Sequence, residues 1–69
     1  MKVTENTTEL KKGTILKDNE GDFFIEDYDG INDWYICIPC NRYGTIIFKD
    51  TMWILKIKDM IGAKIITTP

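Results

Sequence analysis

Apolar residues in this 69-residue chain recur in short runs at every second position, and nowhere at sustained helical spacing. Side chains alternate between the two faces of a strand but return every three to four residues on a helix, so this pattern can bury one flank of several strands. The core must come from sheet. At this length there is one core, near the lower limit at which burial alone holds a fold. The expectation is a single all-β domain over residues 10–69. Residues 1–9, "MKVTENTTE", lack the alternation and read as a flexible N-terminal tail.

Turn signals cut the chain into strands. Gly13 precedes a β-branched run from Thr14 to Asp18, "NEGD" at 19–22 turns, and "FFIEDYD" follows, which together read as a hairpin. "DGIND" at 29–33 leads to "WYICIPC" at 34–40, where Pro39, lacking an N–H, marks a strand end or a sheet edge. "NRYG" turns into "TIIFK", "DTM" at 50–52 suits a single 3₁₀ turn, "WILKIK" is a half-buried strand, and "AKIITT" closes the sheet as a sixth. Alternation gives an inward set of Ile15, Phe23, Ile25, Trp34, Ile36, Ile38, Ile47, Trp53, Leu55 and Ile57. A register slip of one residue would invert each strand's choice.

This order of glycines, turns and strands over residues 10–58 resembles a small SH3-like β-barrel. The resemblance implies five or six short bent strands closing on themselves, with one 3₁₀ turn before the last core strand. The adjacent Trp34-Tyr35 is similar to the aromatic pair of SH3 domains that bind proline-rich peptides. "EDYDG" stands elsewhere than that family's N-terminal aromatic motif, however, and no Pro-x-x-Tyr follows Gly44. The resemblance therefore implies a fold and leaves the activity open.

The chain has no histidine and no serine, which removes Ser-His and Cys-His nucleophilic sites. "CIPC" has the spacing of a thiol redox pair, but "NRYGTIIF" after it is turn and strand, so no helix N-terminus lowers a thiol pKa there. Zinc takes four ligands, and Cys37 and Cys40 supply two. A zinc-linked homodimer through these cysteines is one alternative; the plainer reading makes Cys37 a small core residue and Cys40 a corner. Loop carboxylate pairs such as Asp27 with Asp29 have no cleft to serve in so short a chain. No enzymatic activity and no cofactor are expected.

Charge and aromatics point to contact instead. Glu20, Asp22, Glu26, Asp27, Asp29 and Asp33 crowd the second strand and its loops, while Lys11, Lys12 and Lys17 precede them and Lys49, Lys56, Lys58 and Lys64 follow. Alternation leaves Phe24, Tyr28, Tyr35, Tyr43 and Phe48 facing outward beside the acidic group, the composition of a protein interface. The expected function is a protein-binding module in which Tyr28, Tyr35 and Tyr43 anchor a partner and Asp27, Asp29 and Asp33 complement its basic surface. A DNA mimic built on the six carboxylates is a specialised form of this reading. The rival class is a nucleic-acid-binding regulator using Lys11, Lys12, Arg42, Lys49, Lys56 and Lys58, against which the net charge of −2 weighs. Abundant Ile, Lys, Asn, Phe and Tyr follow AT-rich codons and point to a low-GC bacterium, its phages or mobile elements, hence to a modulator or inhibitor of a host protein. With no signal-peptide pattern and no apolar run of roughly 18 residues, a cytoplasmic location and no membrane span are expected.

Overall fold

A computed structural model describes residues 1–19, 21–46 and 50–67. Five strands, β1 (Ile15–Asp18), β2 (Gly21–Asp29), β3 (Trp34–Cys40), β4 (Trp53–Leu55) and β5 (Lys64–Thr67), form one antiparallel sheet in the order β4-β3-β2-β1-β5. The first four strands meander, and the last returns to pair with the first. The protein is a small all-β domain, as the alternation predicts. Among the described residues β4 and β5 end the sheet without pairing to each other, so it does not close into a barrel.

Among the described residues one helical turn is present, but not at Asp50–Met52. It is the short α-helix α1 (Ile57–Met60), and it ends the expected strand 53–58 at Leu55. The Lys56 N–H donates to the Asp59 carboxylate at 3.0 Å while the Asp59 N–H donates to the Lys56 carbonyl at 2.9 Å. That reciprocal closure satisfies two groups a helix start leaves unpaired. Gly62, at φ +94°, then turns the chain into β5. Ile47 of the inward set, most of "TIIFK", Glu20, Phe48 and Lys49 lie outside the described residues.

The buried face joins Leu16, Phe23, Ile25, Tyr35 and Cys37 from the sheet to Val3, Leu10, Met60 and Ala63 from outside it. Trp53, Leu55, Ile57 and Ile65 pack against this cluster, Trp53 edge-on to Phe23 with ring centroids 5.7 Å apart. Residues 1–9, expected as a free tail, supply part of this cover. The Val3 N–H donates to Ala63 O and the Gly62 N–H to Val3 O, at 2.9 and 2.8 Å, and the Ile65 N–H reaches Met1 O at 2.8 Å. So few inward strand residues cannot enclose a core on one side of an open sheet. The N-terminal segment fills the gap.

β3 inverts the expected face. Ile25 pairs with Cys37 and Phe23 with Pro39, so Tyr35, Cys37 and Pro39 share the buried side, and Trp34, Ile36 and Ile38 are half-buried on the other. β2 changes face midway. A bulge leaves Glu26 unpaired between Ile25↔Cys37 and Asp27↔Ile36, so the side chain that returns to the inner face is Tyr28, not Asp27.

Candidate functional site

At the β2–β3 end of the sheet, the bulge brings Tyr28 opposite Tyr35. Their rings lie 4.6 Å apart between centroids and are tilted by 38°. Tyr35 is sealed at 2% exposure, whereas Tyr28, at the mouth of the core, is 45% exposed. Tyr35 as an exposed anchor is therefore corrected: the register of β3 turns it into the core, where its hydroxyl accepts the Leu10 N–H at 3.1 Å. Tyr28 remains at the surface with a fixed orientation. Its hydroxyl donates to Asp33 Oδ1 at 2.8 Å, and its ring rests on Tyr35.

The loop beneath is shaped by carboxylates. Asp29 Oδ1 accepts the N–H groups of Ile31 and Asn32 at 2.9 and 3.2 Å, and Asp29 Oδ2 accepts the Asn32 side-chain amide at 2.8 Å. These bonds favour the ionised form, the Asn32 side chain most, and hold the Asp29 carboxyl below its ordinary range. Asp33 adopts φ +57°, a left-handed conformation that Asp tolerates better than most residues and that brings its carboxylate back to Tyr28. The hydrogen bond to Asp33, together with partial desolvation and that carboxylate's charge, raises the Tyr28 hydroxyl above the usual tyrosine value. Asp27 accepts the Tyr28 N–H at 2.9 Å and is exposed. Tyr28, Asp27, Asp29 and Asp33 thus stand together.

Tyr43 does not join them. It is 82% exposed in the turn after β3, at the opposite end of that strand, where Asn41 Oδ1 accepts the Tyr43 and Thr45 N–H groups. Ile31, 95% exposed at the tip of the Asp29 loop, is a surface apolar residue that the strand patterning does not single out. An apolar residue inside a turn sequence, "DGIND", is the signal that marks it.

The basic residues expected of a nucleic-acid site are dispersed. Lys11 and Lys12 precede β1, Arg42 follows β3, Lys56 and Lys58 flank the start of α1, and Lys49 lies outside the described residues. Cys37 and Cys40, the pair of the zinc-linked alternative, do not share a face of β3. Three positions apart on a strand, Cys37 faces the core opposite Ile25, and Cys40 faces the other side opposite Asp22. Both are buried free thiols, and burial pushes Cys37 up to about 12. Among the described residues, no three His, Cys, Asp or Glu gather as metal ligands, and no helix is long and apolar enough to cross a membrane.

Comparison with protein-family models, curated proteins and solved structures finds no match.

Proposed function

We propose that the chain is a non-enzymatic protein-binding module whose contact surface is the Tyr28 end of the β2–β3 hairpin. The observation that carries this reading is the held ring of Tyr28, half out of the core, tied to Asp33 and flanked by Asp27 and Asp29. Such a group suits an arginine or lysine of a partner protein. The cation lies over the ring face while its N–H groups meet the carboxylates. Ile31 adds an apolar contact at the rim.

Because Tyr28 is already held on Tyr35, docking costs little side-chain ordering, and preorganised aromatics are the usual anchors of interfaces. A module of this kind acts by occupying the basic surface of a second protein, as a modulator or inhibitor does. The meander from β1 to β4, the helical turn and the final strand returning to β1 support an SH3-like reading of the scaffold.

Titration of ¹⁵N-labelled protein with a synthetic arginine-rich decapeptide tests the proposal. Amide shifts confined to residues 27–35, weakened by salt and lost in Tyr28→Ala, are the expected result. Silence at low salt, or shifts centred elsewhere, removes the reading.

A further inference from the structure

The end of the sheet opposite the Tyr28 loop carries an arrangement that protein binding there does not use. Lys17 stands opposite Lys64 in the β1–β5 register, and Lys64 stands opposite Lys2 across a bridge on its other edge. Residues directly opposite share a face, with Cα atoms roughly 4.5–5.5 Å apart. Three lysines therefore stand in a row across three neighbouring segments. Arg42, from the turn after β3, joins Lys17 and Lys64 around a cavity of about 360 Å³ whose other walls are Asp22, Ile65 and Ile66. Three cations face one carboxylate there. All four cationic residues are exposed.

Like charges set directly opposite destabilise an antiparallel pair, and here two such contacts follow one another. Edge protection is the ordinary reason for lysine in a sheet. It does not apply to Lys17, because β1 lies between β2 and β5, nor to Lys64, whose outer edge carries Lys2. Solubility does not account for the row either, since dispersed lysines serve it without the repulsion.

We propose that this row is a phosphate-binding site, in which Lys17, Lys64 and Arg42, with Lys2 at the rim, hold the phosphates of a nucleotide or of a nucleic-acid strand. A phosphate group offers several acceptor oxygens and up to two charges in a small volume. The Arg42 fork matches those oxygens in pairs while the lysines act as point charges. Ile65 and Ile66 give the ligand an apolar wall. The site is independent of the Tyr28 surface and shares only Arg42 with the dispersed basic set expected from sequence.

The test is an NMR titration with two probes, pyrophosphate and an eight-residue oligothymidylate, each at low and near-physiological salt. Expected are shifts at residues 2, 17, 42 and 64, and binding weakened about tenfold in each of Lys17→Gln, Lys64→Gln and Arg42→Gln, the loss of one charge-assisted contact. Lys58→Gln, on α1, should bind as the parent does. Without ligand, Lys64→Gln should melt no lower than the parent, since Lys64 stands opposite Lys17 on one side and Lys2 on the other and its loss relieves repulsion, so a lost fold does not confuse the result. Equal binding of the two probes identifies a small phosphorylated ligand; a tighter, steeply salt-dependent oligonucleotide identifies a strand. No shift with either probe at low salt, or an equal loss in Lys58→Gln, overturns the proposal.

Discussion

The Tyr35 hydroxyl accepts the Leu10 N–H at 3.1 Å inside the core, tying the N-terminal segment to the middle of the sheet across 25 positions of sequence. Leu10 and Tyr35 are both buried, so that N–H has no access to water. Tyr35→Phe keeps the ring and removes the acceptor. An unsatisfied buried donor costs about 1–3 kcal/mol. Urea unfolding should show an unfolding free energy lowered by that amount, read as a lower midpoint with an unchanged slope, and an unaltered midpoint would mean that the bond contributes nothing.

The fold class and most strand limits are legible in the sequence because turn chemistry and alternation are local. β3 coincides with "WYICIPC", and β1 and β2 fall where the first hairpin is expected. What alternation does not carry is the choice of face, which cross-strand register sets. "WYICIPC" offers a flank of Trp34, Ile36 and Ile38 against one of Tyr35, Cys37 and Pro39. The more aliphatic flank loses because Phe23 and Ile25 on β2 bring the other inward. The bulge left a trace that period-two reading passes over: Glu26 and Asp27, adjacent charges between Ile25 and Tyr28, cannot both face water on a regular strand. Within the candidate site, Tyr28, Asp29 and Asp33 meet because they flank one short loop. Lys2, Lys17 and Lys64 come together only through pairing between distant segments.

Deleting Glu26 probes that bulge. Without it, Ile25, Asp27 and Tyr28 become consecutive, and regular alternation keeps the pairings Ile25↔Cys37, Asp27↔Ile36 and Tyr28↔Tyr35 with Tyr28 still inward. The deletion variant should therefore keep a cooperative thermal transition by circular dichroism, as should Glu26→Ala, which keeps the residue count. Loss of the transition in the deletion variant alone would show that the bulge itself, and not only the register across it, is needed for the fold.

The N-terminal segment makes a separate prediction. Val3 is 1% exposed and packs in the core cluster, which a loose tail would not do. Val3→Ala removes two methyl groups from a closed site and should cost about 2 kcal/mol. Thr4→Ala, at an exposed neighbour, should cost less than about 1 kcal/mol. Equal, small effects at the two positions would return residues 1–9 to the role of a tail.

The Tyr28–Asp33 bond is readable by titration. Asp33 accepts the phenolic proton, so ionising Tyr28 breaks the bond and sets two negative charges side by side, which is why its pKa is raised above 10.0. A raised folded-state pKa contributes stability that is present below the unfolded value and is lost as pH climbs through the folded one. In Asp33→Asn the charge is gone while the left-handed backbone is still tolerated, so ultraviolet titration should place the Tyr28 midpoint lower than in the parent. A midpoint that does not move would mean that Asp33 does not hold the ring.

The two thiols give the alkaline counterpart. Cys37 is fully enclosed, and burial pushes its thiol from 9.0 up to about 12. Between those values the unfolded chain has released a proton that the folded chain keeps, so stability present below about pH 9 declines as pH rises toward 12. Burial and the nearby Asp22 raise Cys40 as well, and with both thiols neutral neither is a nucleophile near neutrality. Iodoacetamide at pH 8 should leave both unmodified in the native protein and label both in denaturant. Urea midpoints followed from pH 8 to 11 should fall more steeply for the parent than for Cys37→Ala, whose lower starting stability lacks that proton. Parallel declines, or prompt native labelling of Cys37, would place the thiol outside the core that the β3 register gives it.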